Sequence, residues 1–374
     1  MMNIPVFKPN LTDNEINAAV EALRLGWLGP GSYVQEFEKK IAEYIGVDEK
    51  KVVAVNTGTS AVHLSLVLSG VGEGDEVITP SFNNIADFHA IKMLGAHPIF
   101  CDIFEDTLTI NPEAIESLIT KKTKAIICID FGTSLCDYDA IKKIADKYNV
   151  SIIHDAAHAF GSKYKGQMVG SFSDICTFSF DPVKNITCID GGAVIVKSLE
   201  FAQRLRAMRQ LGQQQNQEIL YKNERSWTYD VSEIGFRYHL ANLHGAIGVQ
   251  QMKRIEFIKM QRQRVCNFYT KTLKNLDGLA LPHVDNEIFP FIYVVRVQNG
   301  KRQDFINYMK THGVDTGIHW QPGHKFSFLK NEGAGPLVIT DKISEEIVTL
   351  PTYPDLTDEE LFKVISVIKS FFTG

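Results

Sequence analysis

The stretch KVVAVNTGTSAVHLSLVLSG, residues 51–70, joins a run of apolar, mostly β-branched residues to a helical pattern through a glycine turn at Gly58. The apolar run is continuous, which predicts a strand covered on both faces, because a half-exposed strand alternates apolar and polar residues. A strand followed directly by a helix is the repeating unit of α/β folds. We therefore expect this stretch to be one strand–helix unit of an α/β sheet.

The same alternation of strand and helix patterns continues along the chain. Further strands are predicted at DEVITPS (75–81), HPIFCDI (97–103), KAIICIDF (124–131) and VSIIHDAA (150–157), with helical patterns between them. Such an order indicates a mostly parallel sheet between two layers of helices. In such sheets ligands bind at the carboxyl ends of the strands.

The pattern changes at about residue 250. A long polar helix is predicted over residues 250–273, followed by the strand FIYVVRV (291–297) and a last helix over residues 358–372. We therefore predict two domains. The large α/β domain would span residues 1–250 and a smaller C-terminal α+β domain residues 251–374.

Composition and charge exclude several classes of protein. With 44% hydrophobic and 22% charged residues among 374, the chain has the composition of a globular protein. Its net charge is −5 and it has no basic block, so we expect no nucleic-acid partner. No run of about 18 apolar residues occurs and the start lacks the layout of a secretion signal, so we expect neither a membrane span nor export. Six scattered cysteines without a CxxC pair or a metal-ligand spacing indicate reduced thiols, no metal site and a cytoplasmic protein.

The segment TFSFDPVKNITCIDGGAVIV (177–196) places Lys184 where a strand has just ended and before a second strand opens at a Gly-Gly pair. Most lysines are solvated surface charges, so this lysine gains interest only from its position at the ligand edge of the sheet. Ser179, five residues earlier, is a hydroxyl within an apolar strand.

Two further features belong to the same edge. Asp155 ends a very apolar strand, where a carboxylate must be paired or bind something, although it could simply cap the following helix. The segment NTGTSA (56–61) would point amides and hydroxyls from a helix N-terminus, which favours phosphate. An amine nucleophile, a carboxylate and a phosphate site are together what pyridoxal 5'-phosphate (PLP) requires.

With these motifs the chain resembles the DegT/StrS family of PLP-dependent aminotransferases, which act on nucleotide-linked keto sugars and have the aspartate aminotransferase-like fold with a seven-stranded sheet. The resemblance runs in order through nearly the whole chain, from GWLGPGSYVQEFEKKIAEYIG (26–46) through HDAAHAFGSKYKGQMVGSFSD (154–174) to LPTYPDLTDEEL (350–361). It implies that Lys184 forms the Schiff base with PLP, that Asp155 pairs with the pyridine nitrogen and that His158 lies near the ring hydroxyl. It also implies that the phosphate is held by Gly58, Thr59 and Ser179.

The sequence departs from the family pattern at four positions. His154 stands where the family has glutamate, and Asp181 where it often has histidine or tyrosine. Asn84 stands where an aromatic ring usually covers PLP, so that the amide, or Phe82 after a local shift, would have to cover that face. Arg237 replaces the asparagine that crosses to the neighbouring subunit's phosphate, and its guanidinium would still suit a phosphate. This position implies a homodimer, unless Arg237 merely pairs with a surface carboxylate.

The segment GIHWQPGH resembles a family segment near the sugar, which makes His319 and His324 candidate substrate residues; a packed loop is the alternative. We expect an aminotransferase that converts a keto group of a nucleotide-linked deoxy sugar to an amine, with glutamate as the donor. Amination at C4 of the sugar is weakly favoured over C3. Retention of Lys184 argues against the family's dehydratase branch, in which a histidine replaces it. Two alternatives stay open: an aminotransferase for a non-nucleotide cyclic ketone, and a non-catalytic sensor or scaffold.

Overall fold

The computed structural model describes residues 3–214 and 217–373. Within these ranges the helices are α1 (Asp13–Leu25), α2 (Ser32–Ile45), α3 (Gly58–Leu68), α4 (Ile85–Met93), α5 (Pro112–Ile115), α6 (Tyr138–Tyr148), α7 (Leu199–Met208), α8 (Gln217–Tyr221), α9 (Asn242–Lys253), α10 (Ile255–Leu273), α11 (Arg302–Thr311), α12 (Val338–Ser344) and α13 (Asp358–Thr373). The strands are β1 (Val52–Val55), β2 (Glu76–Pro80), β3 (His97–Cys101), β4 (Thr123–Ile129), β5 (Ser151–Asp155), β6 (Lys163–Tyr164), β7 (Gln167–Met168), β8 (Ile175–Ser179), β9 (Gly192–Val196), β10 (Gln213–Gln214), β11 (Asp230–Val231), β12 (Leu279–Ala280), β13 (Tyr293–Val297) and β14 (Ile347–Leu350).

A seven-stranded sheet forms the centre of the fold, in the order β1-β9-β8-β5-β4-β2-β3. Strand β9 runs antiparallel to β1 and β8, and the remaining neighbours are parallel. The predicted mostly parallel sheet is therefore confirmed. Parallel pairing of β5 with β4 and β8 puts Asp155 beside Ile129 and Thr177, at the carboxyl ends of three adjacent strands.

Strand β1 shows why its sequence is apolar without interruption. Val53 and Val55 pack into a cluster with residues of α3 and α7, whereas Val52 and Ala54 pack into a cluster with residues of α2 and α10. Successive side chains of a strand point to opposite faces, and here helices cover both. All four residues of β1 are consequently buried.

A second, three-stranded antiparallel sheet forms in the C-terminal part, in the order β12-β13-β14. Its apolar side chains pack with those of α10, α11 and α13 in a separate cluster. The predicted division into domains at residue 250 stays a prediction, and that position lies inside α9.

The single long helix predicted over residues 250–273 is wrong, because α9 ends at Lys253 and α10 begins at Ile255. Arg254 between them has φ −111° and ψ 5°. Its guanidinium binds the Oε1 of Glu15 at 3.0 Å and the Oδ1 of Asn10 at 2.5 Å, which ties the bend to the start of the chain. The break lets α9 pack on α1 and α2 while α10 continues to the second sheet.

The six cysteines are buried and have free thiols. Across the described ranges, no helix combines the length and the apolar character needed to cross a membrane.

Candidate active site

A cavity of about 360 Å³ opens at the carboxyl ends of β5 and β8, next to the N-terminus of α3. Most of the residues predicted for the site line it. These residues are Gly58, Thr59, Asn84, Asp155, His158, Ser179, Lys184 and His319.

Lys184 lies in a tight turn after β8, in which its amide donates to the Asp181 carbonyl at 3.1 Å. Arg262 of α10 holds this turn, because its Nη2 donates to the Val183 and Lys184 carbonyls, both at 3.3 Å. The Lys184 Nζ lies 4.4 Å from the centroid of the Phe291 ring. Burial lowers the pKa of Lys184 to about 8, against the opposing effect of nearby carboxylates. About a tenth of this amine is therefore neutral at pH 7, far more than for an ordinary lysine.

Asp155 is 4% exposed and ends β5. Its Oδ1 accepts from the Ala157 amide at 2.9 Å and from the Thr177 hydroxyl at 3.4 Å. Burial raises the pKa of this carboxyl, while the positive charge of Lys184 acts in the opposite direction. The carboxyl thus caps the following turn and also faces the cavity, so the two interpretations of its sequence position hold together.

The N-terminus of α3 provides an anion site. The Thr57 hydroxyl accepts from the Ser60 amide at 2.9 Å, whereas no acceptor within the described part of the chain is bonded to the Gly58 or Thr59 amide. A Cβ atom at Gly58 would lie 2.8 Å from the Ser179 Cβ, so only glycine lets the serine approach the helix end this closely. Free amides, a helix dipole and the Ser179 hydroxyl suit a phosphate group.

His158 is almost fully buried and packs against Phe291, with ring centroids 4.4 Å apart. Its Nδ1 accepts from the Gly132 amide at 3.4 Å, which leaves the hydrogen on Nε2. Burial, followed by the charge of Lys184, holds the pKa of His158 well below its usual range. At neutral pH His158 is therefore an uncharged hydrogen-bond donor.

His319 and Trp320 form the wall of the cavity that the C-terminal part of the chain contributes. The His319 Nδ1 lies 2.8 Å from the Thr349 hydroxyl, and burial lowers the pKa of His319 to about 4. The Trp320 Nε1 is buried and has no hydrogen-bond partner among the described residues. A ligand with an acceptor oxygen would satisfy that donor.

Two candidate residues do not line the cavity in the single chain: His324, and Arg237, which is predicted to act at the partner's site. His324 does not line the cavity; its Nδ1 lies 2.8 Å from the Ser81 hydroxyl and its Nε2 3.1 Å from Asp341. Arg237 is exposed and also lies outside the cavity of its own chain.

Of the two residues considered for the missing aromatic cover, Asn84 lines the cavity and Phe82 does not. The Asn84 Oδ1 caps α4 by accepting from the Ala86 amide at 2.9 Å. Phe82 is fully buried and packs on Phe131, with ring centroids 5.1 Å apart. The aromatic rings that line the cavity are those of Phe291, Trp320, His158 and His319.

The sequence analysis missed Asp87, Asp190 and Phe291, which also line the cavity. Asp87 could have been found, because a carboxylate is out of place in the apolar helix IADFHAIKM. Phe291 gives no such signal, since its approach to Lys184 depends on how the C-terminal part docks.

The residues present fit PLP. An amine of lowered pKa, a buried carboxylate and a helix N-terminus with free amides lie around one cavity, and a neutral imidazole donor lies beside them. The amine matches the aldehyde of the cofactor and the carboxylate matches its ring nitrogen. The helix N-terminus matches the phosphate, and the imidazole matches the ring hydroxyl.

Comparisons with known proteins agree with this chemistry. The model of the DegT/DnrJ/EryC1/StrS aminotransferase family matches residues 9–369. Uncharacterized protein MJ1066 of Methanocaldococcus jannaschii is 32% identical over 375 residues, covering 98% of this chain and 97% of that protein. Spore coat polysaccharide biosynthesis protein SpsC of Bacillus subtilis is 32% identical over 381 residues, covering 99% of this chain and 97% of that protein. The crystal structure of the aminotransferase TlmJ from Streptoalloteichus hindustanus has a TM-score of 0.91 at 29% identity, with 98% of each chain covered.

Proposed function

Because the chain belongs to the DegT/DnrJ/EryC1/StrS aminotransferase family, it is a PLP-dependent aminotransferase, and we propose that it aminates a keto group of a nucleotide-linked deoxy sugar. The similarity to SpsC, which is named for polysaccharide biosynthesis, supports a sugar substrate. We further propose glutamate as the amino donor and C4 as the carbon that receives the amine.

One observation supports this function above all. Lys184, Asp155 and the N-terminus of α3 come from three separate segments of the chain, yet they surround one cavity. A sensor or scaffold would not need an amine whose pKa burial lowers to about 8 beside a buried carboxylate. Perturbed titratable groups gathered in a cleft are typical of catalysis.

PLP, when bound, supplies an aldehyde that accepts an amine and a protonated ring that withdraws electrons. In the proposed site Lys184 would hold the aldehyde end, Asp155 the ring nitrogen, and Gly58, Thr59 and Ser179 the phosphate.

During transamination a proton moves between the α-carbon of the amino donor and the aldehyde carbon of PLP. The Lys184 Nζ would carry this proton. Such a base works only when it is neutral, and burial makes the neutral form accessible near pH 8. The Arg262 guanidinium fixes the backbone from which this side chain reaches the cavity.

Asp155 would keep a proton on the ring nitrogen, since an ionised carboxylate stabilises the adjacent positive charge. The His158 Nε2–H would donate to the ring hydroxyl oxygen, because its other nitrogen already accepts from the Gly132 amide.

His319 and Trp320 would contact the sugar from the opposite wall. The Trp320 Nε1 lacks an acceptor within the described ranges, and a sugar hydroxyl or carbonyl oxygen would supply one. Phe291 and Trp320 would also exclude water from the amine of Lys184.

We propose that the active unit is a homodimer in which Arg237 reaches the phosphate of the partner's cofactor. The segment around Arg237 exposes Trp227 and Ile234, each 83% accessible in the single chain, as well as Tyr229 and Val231. Large exposed apolar side chains next to one another mark a protein interface. Arg237 itself is exposed and has no ion pair among the described residues.

A half-reaction panel tests the function. The purified holoenzyme would be converted with glutamate and then offered keto sugars with and without a nucleotide, while the absorbance of the cofactor is followed. We expect recovery of the original spectrum only with nucleotide-linked keto sugars, and NMR of the product would locate the amine. Recovery with non-nucleotide cyclic ketones alone would overturn the proposed substrate.

A further inference from the structure

Asp87 is a second carboxyl inside the cavity, and no step of the proposed function uses it. It lies in the first turn of α4, is 1% exposed, and lines the cavity together with Asp155 and Lys184. An acidic residue this deeply buried needs a partner for each of its oxygens.

The partners of Asp87 are an amide and the other carboxyl. The Asn83 Nδ2 donates to the Asp87 Oδ2 at 2.8 Å and lies 3.2 Å from the Thr79 hydroxyl, so this side of Asp87 receives a neutral donor. No donor among the described residues is bonded to the Asp87 Oδ1, and Asp155, which lines the same cavity, raises the pKa of Asp87 through its charge and a side-chain hydrogen bond. Two carboxyl groups can form that bond only when one of them carries a proton, since ionised carboxylates are acceptors alone.

The surroundings decide which carboxyl keeps the proton. Burial, and then the charge of Asp155, raise the pKa of Asp87 well above its usual range, while Lys184 acts in the opposite direction. Asp155 has a smaller upward shift of its pKa and accepts from the Ala157 amide, a bond that favours the ionised form.

The other groups near the pair do not change this order. His158 and His319 are neutral at pH 7, and Asp181 and Asp190, which also line the cavity, add negative charge only. On the Asp155 side, the charges of His154 and Asp130 shift the pKa of Asp155 in opposite directions. The N-terminus of α4 favours an ionised Asp87, but this effect is smaller than the free-energy cost of burying a second unpaired charge.

We propose that Asp87 is a positioning residue that stays protonated and donates its hydrogen to the Asp155 carboxylate. This bond turns Asp155 towards the cavity and keeps it ionised, so that the negative charge is available to the ring nitrogen of PLP. The inference deepens the proposed function and rests on the role given there to Asp155.

The first test uses the apoprotein, so that it does not depend on the cofactor. Asp87→Asn keeps an N–H donor towards Asp155 and an acceptor for Asn83, but it has no proton to lose. We would measure urea unfolding of the wild type and of this variant between pH 4 and pH 8.

In unfolded chains Asp87 ionises with a pKa of about 3.9, whereas the native protein keeps it protonated. The wild type should therefore lose stability relative to Asp87→Asn as the pH rises above about 4. The ratio of the two unfolding constants should change by up to roughly tenfold per pH unit, until the native group itself ionises.

Asp139→Asn serves as the matched control. The hydrogen bond to Lys165 lowers the pKa of Asp139, so in this pair the wild type gains stability only up to about pH 5, and the difference between the two proteins should be constant from there to pH 8. A difference between the wild type and Asp87→Asn that is independent of pH, or that runs in the direction of the control, would show an ionised Asp87 paired with Lys184 and overturn the inference.

The second test uses bound PLP and adds Asp87→Ala, which removes the donor. We expect the glutamate half-reaction of Asp87→Ala to slow roughly tenfold, the size expected for the loss of one hydrogen bond to a charged group, and that of Asp87→Asn to stay much closer to the wild type. The pH midpoint of the cofactor absorbance should likewise shift more in Asp87→Ala than in Asp87→Asn. Equal effects of the two substitutions would contradict a donor role.

The two tests separate this inference from the function on which it rests. If Asp155→Asn left the half-reaction unchanged, the role of Asp155 would fail although the apoprotein result at Asp87 could stand. If the apoprotein shows no proton on Asp87, the inference fails and the transamination proposal remains.

Discussion

Lys184 is the residue on which turnover depends in the proposed function. We expect Lys184→Ala to lower the steady-state rate by roughly 10²–10⁴-fold or more, because the group that moves the proton is lost. The fold should persist, as judged by circular dichroism. Lys197→Ala is the control, since Lys197 is an exposed lysine paired with Asp174 at 3.3 Å. A Lys184→Ala protein that turned over at more than a few per cent of the wild-type rate would rule out this role.

The same residue carries a pH prediction. In the proposed site, neutral Lys184 would react with the aldehyde of added PLP, so the rate at which the apoprotein captures PLP should rise with pH and level off above the pKa of the amine. Burial places that midpoint at about 8. Stopped-flow absorbance across pH 6–11 measures it, and a midpoint near the ordinary lysine value of about 10.4 would contradict the lowered pKa.

Asp155 should matter more for catalysis than for cofactor binding. An amide cannot stabilise the protonated ring, so we expect Asp155→Asn to slow the glutamate half-reaction by roughly a hundredfold, a size typical of lost electrostatic stabilisation. The Ala157 amide keeps an acceptor in the variant, so the PLP dissociation constant should change far less. Rapid-mixing absorbance and equilibrium titration give the two numbers. If Asp155→Asn carried out the half-reaction at the wild-type rate, Asp155 would be only a helix cap.

At the scale of single elements, the N-terminus of α3 is the most constrained part of the site. Gly58→Ala would bring a Cβ within 2.8 Å of the Ser179 Cβ, and we expect a loss of about 1–3 kcal/mol in the free energy of unfolding, as for other overpacked sites. PLP affinity should fall as well, because the serine must move away. Gly72→Ala, where a Cβ meets nothing within 4 Å, is the control. Thermal melts and PLP titration measure the two effects. Equal stability and equal PLP affinity of the two variants would refute the close approach of Ser179 to Gly58.

Elements whose signal is local can be predicted from the sequence. The helix Asp13–Leu25 begins at a capping box formed by Thr12 and Glu15 and ends at Gly26 in the left-handed region, and both signals are readable in the sequence. Asp155 was found because it ends an apolar strand, and Lys184 because it stands in the turn that follows one.

Elements whose limits depend on distant contacts were not predicted. The break between α9 and α10 depends on Arg254 reaching Asn10 and Glu15, far away in the sequence. Similarly, His324 seemed a candidate by its neighbours, but Ser81 and Asp341 hold it outside the cavity. The Asp87–Asp155 pair joins two segments that no local pattern links.

At the scale of the whole molecule, the proposed dimer predicts complementation. Inactive Lys184→Ala and weakened Arg237→Ala subunits would be mixed under conditions of subunit exchange. In a dimer with shared sites, the hybrid carries one site with both lesions and one with neither. Activity should therefore rise above that of either variant alone. No gain after verified exchange would mean that Arg237 serves its own chain or has no part in catalysis.

The contacts of Arg262 also set an order for the assembly of the protein during synthesis. Its Nη1 donates to the carbonyls of Phe291 and Thr352, at 2.7 and 3.1 Å, while its Nη2 holds the turn that carries Lys184. A ribosome releases the central sheet long before it has made Thr352. The turn around Lys184 therefore gains its full set of supports only late in translation. We expect arrested nascent chains that end just before residue 352 to capture PLP poorly, even though every residue of the chain proposed to hold the cofactor has already left the exit tunnel.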